Sequence, residues 1–224
     1  VNYFATIYRH SITVNLERVA HLRYFKDFSD ASTIGKAICA EHNTPSSQKK
    51  NTLLFIDEIQ ESPEAIAMLR YFYEDVPELH VIAAGSLLEH VMQKVKSFPM
   101  GRVTYLCVHP LNFVEFLYAK KQTGALDGLN QIPVQPFAHQ LLLNQFHEYA
   151  IIGGMPEVVK TYLQTNSFSD LSKVYEGIWA TYKDDVEKYA QNATATRVIK
   201  HVMNVAHLFV DQRIKFQNFG NSKY

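Results

Sequence analysis

The sequence predicts an α/β fold, a parallel sheet with helices on both faces, followed by a helical subdomain. Two observations carry this. The apolar runs Leu53-Leu54-Phe55-Ile56 and Val81-Ile82-Ala83-Ala84 are bounded by polar residues and separated by a segment of helical period at 63–73. Such a strand–helix–strand unit builds a parallel sheet whose strands are covered on both faces. Past Pro110 the strand pattern stops, and helical period runs through 112–121, 137–150, 156–164, 168–190 and 194–210. The division expected is a core at 1–122, a linker rich in Gly, Pro and polar residues at 123–136, a helical subdomain at 137–212, and a further segment opening at 213–224.

Each element has a local reason. Residues 1–8 carry apolar positions three and four apart and read as the end of a helix, and Val1 is not a start methionine, so the expectation is that the chain begins inside a longer one. Residues 11–16 alternate and are β-branched, which predicts a strand, followed by an amphipathic helix or loop through Phe28. Asp30-Ala31-Ser32 can cap a helix carrying Ile34, Ala37, Ile38 and Cys39. The polar stretch 43–51 lacks periodicity and predicts a surface loop. Pro63 suits the first turn of the next helix. Gly85-Ser86 should open a helix through Val95, residues 102–108 form a further β-rich run, and 215–224 has no periodic signal.

Composition excludes several classes. With 47% hydrophobic and 20% charged residues the chain is an ordered globular protein. Lys plus Arg (22) balance Asp plus Glu (22), so no overall basic field points to nucleic acid or an anionic membrane. Cys39 and Cys107 lack the spacing of a zinc or redox site, and two cysteines are too few for a disulfide scaffold, which suggests a reducing, cytoplasmic setting. No apolar run approaches the ~20 residues of a membrane span.

The chemistry centres on Asp57-Glu58, placed where an apolar strand ends. In nucleoside triphosphatases one carboxylate at this place holds the water shell of Mg²⁺ and the next activates the attacking water. Asp57 would be the metal partner and Glu58 the base. The other reading is a pair that merely ends a strand and caps the following helix. Ser86, at the tip of the next strand, could hydrogen-bond the attacking water or the γ-phosphate, with Gly85 allowing close backbone approach; equally, it could be the cap of a helix starting at Leu87. Arg102, after Gly101, could reach the phosphates of a neighbouring subunit, or be a surface arginine paired with a carboxylate. Gly153-Gly154-Met155-Pro156 reads as a structural hinge between helices. The ten histidines include no H-E-x-x-H, so a catalytic zinc is not expected. No G-x-x-x-x-G-K-[ST] occurs, and Gly35-Lys36 is followed by Ala37 inside a helical pattern.

Taken in order, the blocks Leu53-Leu54-Phe55-Ile56-Asp57-Glu58-Ile59-Gln60, Ala83-Ala84-Gly85-Ser86-Leu87-Leu88-Glu89, Pro99-Met100-Gly101-Arg102-Val103, Pro110-Leu111-Asn112-Phe113 and Gly153-Gly154-Met155-Pro156-Glu157-Val158-Val159 resemble a prokaryotic family of predicted AAA+ superfamily ATPases. The resemblance runs from about Asn15 to about Phe216. It implies a P-loop NTPase core with a helical lid, ATP and Mg²⁺ as ligands, Asp57-Glu58 at the Walker B position, Ser86 as the polar sensor and Arg102 as the arginine of a Gly-Arg motif. Members of the family usually carry a further C-terminal domain of unknown function, which is expected to be lacking here, since the resemblance stops near Phe216. Their P-loop and a central strand of the sheet precede the position of Val1, and the expectation is that loss of that strand leaves the 53–56 and 102–108 strands with unpaired edges. The function expected is ATP binding and hydrolysis coupled to an unidentified conformational task, in a homo-oligomer if Arg102 acts on a neighbour. The alternative is a non-catalytic module that binds a protein or nucleic acid on a degenerate P-loop scaffold.

Overall fold

The computed structural model describes residues 1–27, 29–86, 101–190, 192–210 and 213–214. It divides into two compact units, at Val1–Cys107 and Val108–Tyr224, an earlier boundary than the 122 expected from sequence.

The first unit is α/β. A short helix α1 (Asn2–Ala5) leads into β1 (His10–Asn15), α2 (Val19–Asp27) and α3 (Ala31–Glu41). Asp30 caps α3 by accepting the Thr33 N–H at 2.8 Å. The stretch expected as a loop ends in a 3₁₀ turn, Ser46–Asn51, in which Lys49 is buried and reaches Glu78 at 3.8 Å. β2 (Thr52–Asp57), α4 (Pro63–Asp75) and β3 (His80–Ala83) follow. The sheet is parallel in the order β1-β2-β3, with Asn15 opposite Asp57 and Ile56 opposite Ala83. Ile12, Val14, Leu54 and Ile56 share one face, because side chains alternate along a strand, and pack with Tyr24, Phe25, Ile34, Ile38, Ile66 and Phe72 from α2, α3 and α4. Leu53, on the other face, is also fully buried.

Two expectations fail here. The gap expected beside the 53–56 strand is absent, since β2 is paired on both sides. The edges without a strand partner among the described residues are instead the outer ones, of β1 and of β3. Residues 103–108 form no strand, and Tyr105, Leu106 and Val108 are exposed. β-branched and aromatic composition becomes a strand only through pairing with a neighbour, and residues 103–108 join no ladder among the described residues. The helix expected after Ser86 lies outside the described residues, as does the end segment 215–224.

The second unit is helical: α5 (Phe113–Ala119), α6 (Thr123–Leu129), α7 (Pro136–Ile152), α8 (Pro156–Thr165), α9 (Leu171–Tyr189) and α10 (Ala193–Val205). Asn112 and Glu115 form a reciprocal capping box at α5. α6 falls inside the expected linker. Gly128 explains why: a Cβ there would come within 2.8 Å of the Ala138 Cβ, so the missing side chain lets α6 lie close against α7. One buried cluster gathers Phe116, Ile152, Val158, Val159, Tyr162 and Leu171, and a second gathers Leu117, Ala125, Leu126, Ala138 and Leu142. Lys120 and Glu148 form a mostly buried ion pair, 2.6 Å from the ammonium to each carboxylate oxygen. Burial, with Glu148 beside it, pushes the Tyr162 hydroxyl up to about 12.

Between α7 and α8, Gly153 adopts φ 68°, a conformation only glycine enters without strain. Gly154 packs directly on the backbone of Leu111. Its carbonyl accepts the Leu111 N–H at 2.7 Å, and the Leu111 carbonyl accepts the Tyr149 hydroxyl at 2.8 Å. The Gly153-Gly154 pair thus joins the start of α8 to the strand-like entry of α5.

Candidate functional site

The two acids stand where the central strand runs out. Leu16 N–H donates to the Asp57 carbonyl at 3.0 Å, so the ladder holds to the last residue of β2. Asp57 is half-buried, and its Oδ1 accepts the Glu58 N–H at 3.2 Å. The chain then turns through Glu58 in the left-handed region, φ 53° and ψ 45°. A non-glycine residue there is uncommon and persists when its neighbours hold it. The holding contacts come next: Ile59 N–H donates to the Ala84 carbonyl at 3.0 Å, and Ala84 N–H donates to the Ile56 carbonyl at 2.8 Å. The turn after β2 is therefore bound to the end of β3.

Neither acid caps α4. That cap is Ser62, 1% exposed, whose Oγ accepts the Ala65 N–H at 3.1 Å and donates to Glu64 at 2.9 Å. With the capping work done by Ser62, a purely capping account of Asp57-Glu58 loses its structural basis.

The carboxyl ends of all three strands meet here, where open parallel sheets place their ligands. β1 contributes Asn15, whose N–H donates to His21 Nδ1 at 3.0 Å. β3 contributes Gly85, half-buried, and Ser86, exposed. Whether Ser86 caps a helix at Leu87 falls outside the described residues. Sequence reading missed Gln60, which is buried behind the acids and donates from Nε2 to Glu58 Oε2 at 2.5 Å. Its one signal was a carboxamide two residues past Glu58, between apolar Ile59 and Glu61.

Arg102 is elsewhere. Its Nε donates to Glu74 Oε1 at 3.0 Å, and Arg70 reaches the same oxygen at 3.0 Å. The two guanidiniums hold the Glu74 carboxyl below the usual range, Arg70 contributing most. Glu74 lies in the last turn of α4, about 18 Å along the helix axis from Ser62 at a rise of roughly 1.5 Å per residue. α4 begins beside the acids and runs away from them, so the Arg102 contact sits toward the opposite end of the sheet.

Among the described residues, no three His, Cys, Asp or Glu side chains gather as a metal cage, and no helix is long and apolar enough to cross a membrane. No curated protein and no solved structure matches the chain. Residues 143–223, within the stretch of the helical unit, match a domain of unknown function (DUF8612). The parallel sheet, with its acids at the end of the central strand, lies inside a match at residues 2–117, just over half the chain, to the family described as AAA domain. The chain therefore belongs to the AAA domain family of P-loop, nucleotide-binding modules.

Proposed function

We propose that the protein binds ATP with Mg²⁺ and hydrolyses it, coupling hydrolysis to a conformational task. One observation carries this reading: Asp57-Glu58 at the carboxyl end of the central strand, in a chain of the AAA domain family. The donor set fits Mg²⁺. Asp57 is a hard oxygen ligand with one oxygen on the Glu58 N–H and no partner on the other among the described residues. Mg²⁺ is commonly held by one or two carboxylates through its waters, together with substrate phosphates, so a cage of side chains is not required. When bound, the ion neutralises charge on the phosphates as the phosphoryl group transfers.

Asp57 orients that water shell. Glu58, the next residue, takes the proton from the attacking water. Ser86, exposed at the end of β3, offers its hydroxyl to that water or to the terminal phosphate. Arg102 serves the site of a neighbouring copy, because its own anchor on Glu74 lies at the far end of α4. The phosphate cradle itself is assigned to no residue of the 224.

The test is ATP turnover by protein expressed from its whole reading frame, beside Glu58→Gln. The amide keeps the shape of Glu58 but cannot accept the proton, so turnover should fall by about 10²–10⁴-fold while nucleotide binding persists. Equal turnover in variant and parent rejects the assignment. Absence of ATP binding in the parent favours instead an interaction module for a protein or nucleic acid on the same scaffold.

A further inference from the structure

Gln60 poses a physical problem. It is 8% exposed, and its Oε1 is buried without a hydrogen-bond partner among the described residues. A buried carbonyl oxygen left unpaired costs stability, and an apolar side chain such as leucine would avoid that cost. The other end of the carboxamide makes one side-chain contact, Nε2 to the Glu58 carboxylate at 2.5 Å. Room for the carboxamide comes from Gly85. An ideal Cβ on Gly85 would lie 2.3 Å from Gln60 Oε1 and 3.4 Å from both Gln60 Cδ and Ile59 Cγ2. The carboxamide therefore fills the space that a side chain at position 85 would occupy.

We propose that Gln60, seated against Gly85, is the positioning residue for the Glu58 carboxylate. This rests on the reading of Glu58 as the base. Glu58 has a left-handed backbone and a side chain able to rotate about three bonds, and a charge-assisted bond from a buried carboxamide selects one of its rotamers. A base must lie within hydrogen-bond reach of the proton it removes, and misplacement by 1 Å can cost about 10²-fold in rate. Gly85 is part of the device because any side chain there displaces the carboxamide. The atom displaced is the far end of a flexible side chain, so Gly85→Ala should release Glu58 with little loss of fold.

Three variants test this: Gln60→Leu, Gly85→Ala and Gln60→Asn. The first readout needs no nucleotide: the side-chain N–H₂ resonances of Gln60 in ¹H–¹⁵N spectra. One Nε2 proton should be shifted downfield and slow to exchange in the parent, and it should lose both properties in Glu58→Ala and in Gly85→Ala. The second is turnover. Gln60→Leu and Gly85→Ala should lower kcat by about 10- to 100-fold with KM changed much less, and Gln60→Asn, too short to span the gap, should not rescue. Urea midpoints at or above the parent's for Gln60→Leu would separate positioning from folding. If Glu58→Gln abolishes turnover while Gln60→Leu and Gly85→Ala leave kcat intact, the positioning role is refuted and the base stands. If Glu58→Gln leaves turnover unchanged, the reading of Glu58 is overturned, and this role with it, whatever the resonances show. A Gln60 resonance indifferent to Glu58→Ala overturns the contact.

Discussion

Replacing Gly154 by alanine should be among the most damaging single-methyl changes in the helical unit. The new Cβ would meet Leu111 at 2.1 Å from its oxygen, 2.9 Å from its nitrogen and 3.0 Å from its carbonyl carbon. All three are backbone atoms, so no rotamer change relieves the clash. To regain ordinary contact, Leu111 or Gly154 must retreat by more than about 1 Å, well beyond the tolerance of a hydrogen bond. Such a retreat breaks the Leu111 N–H bond to the Gly154 carbonyl and the Tyr149 bond to the Leu111 carbonyl. Two bonds at about 1 kcal/mol each, with overpacking at about 1–3 kcal/mol, predict a loss of about 3–5 kcal/mol. Gly177 supplies the control: it lies within α9 with nothing inside 4 Å of an added Cβ, so Gly177→Ala should gain about 0.5–1 kcal/mol. Urea unfolding followed by Trp179, the single tryptophan and also on α9, reads both variants in the unit they occupy. A Gly154→Ala loss below about 1 kcal/mol, with Gly177→Ala behaving as stated, would refute the reasoning.

Three further outcomes are expected. Asp57→Asn should raise the Mg²⁺ needed for half-maximal turnover by about 10- to 100-fold, read by metal titration at fixed ATP; an unchanged requirement removes Asp57 from the metal. Arg102→Ala should lower turnover by about 10³-fold or more while shifting the urea midpoint little, since its solvent-screened pair with Glu74 contributes little to stability. Mixing it with Glu58→Gln should restore part of the activity, and no recovery in the mixture argues for a role within one subunit. Tyr24, pushed up to about 12 by burial and by donating to Glu41, is harder to ionise in the folded state than at the ordinary value near 10. A raised folded pKa gives stability that is complete below pH 10 and lost as pH climbs toward 12. Tyr24→Phe should therefore lose stability less steeply across pH 10–12 in urea titrations, and parallel declines would discount the pair.

Much of the first unit was legible because its signals are local. The apolar run at 53–56 with acids after it gave β2, Pro63 marked the first turn of α4, and Asp30 capped α3 as read. The misses share a different cause, dependence on a partner that sequence does not display. Residues 102–108 carry strand composition but find no ladder. Gly124 and Gly128 looked like linker punctuation, whereas α6 is folded and Gly128 is a packing contact against Ala138. At the site, Asp57 and Glu58 stood out from their apolar flank. Gln60 did not, because its importance lies in touching Glu58 and Gly85, a relation created only when β2 and β3 lie side by side.

The double-sided pairing of β2 also assigns the site a clock. Amide protons in a strand covered along both edges exchange with solvent when a large part of the fold opens, and those on an uncovered edge exchange through small local openings. Asp57 is the final residue of the doubly covered strand, and Ser86 follows a strand with one edge covered among the described residues. The two halves of the site thus belong to segments of different lifetime. The acid proposed to face the metal is set on the strand expected to exchange most slowly, and the freedom to adjust resides on the serine side.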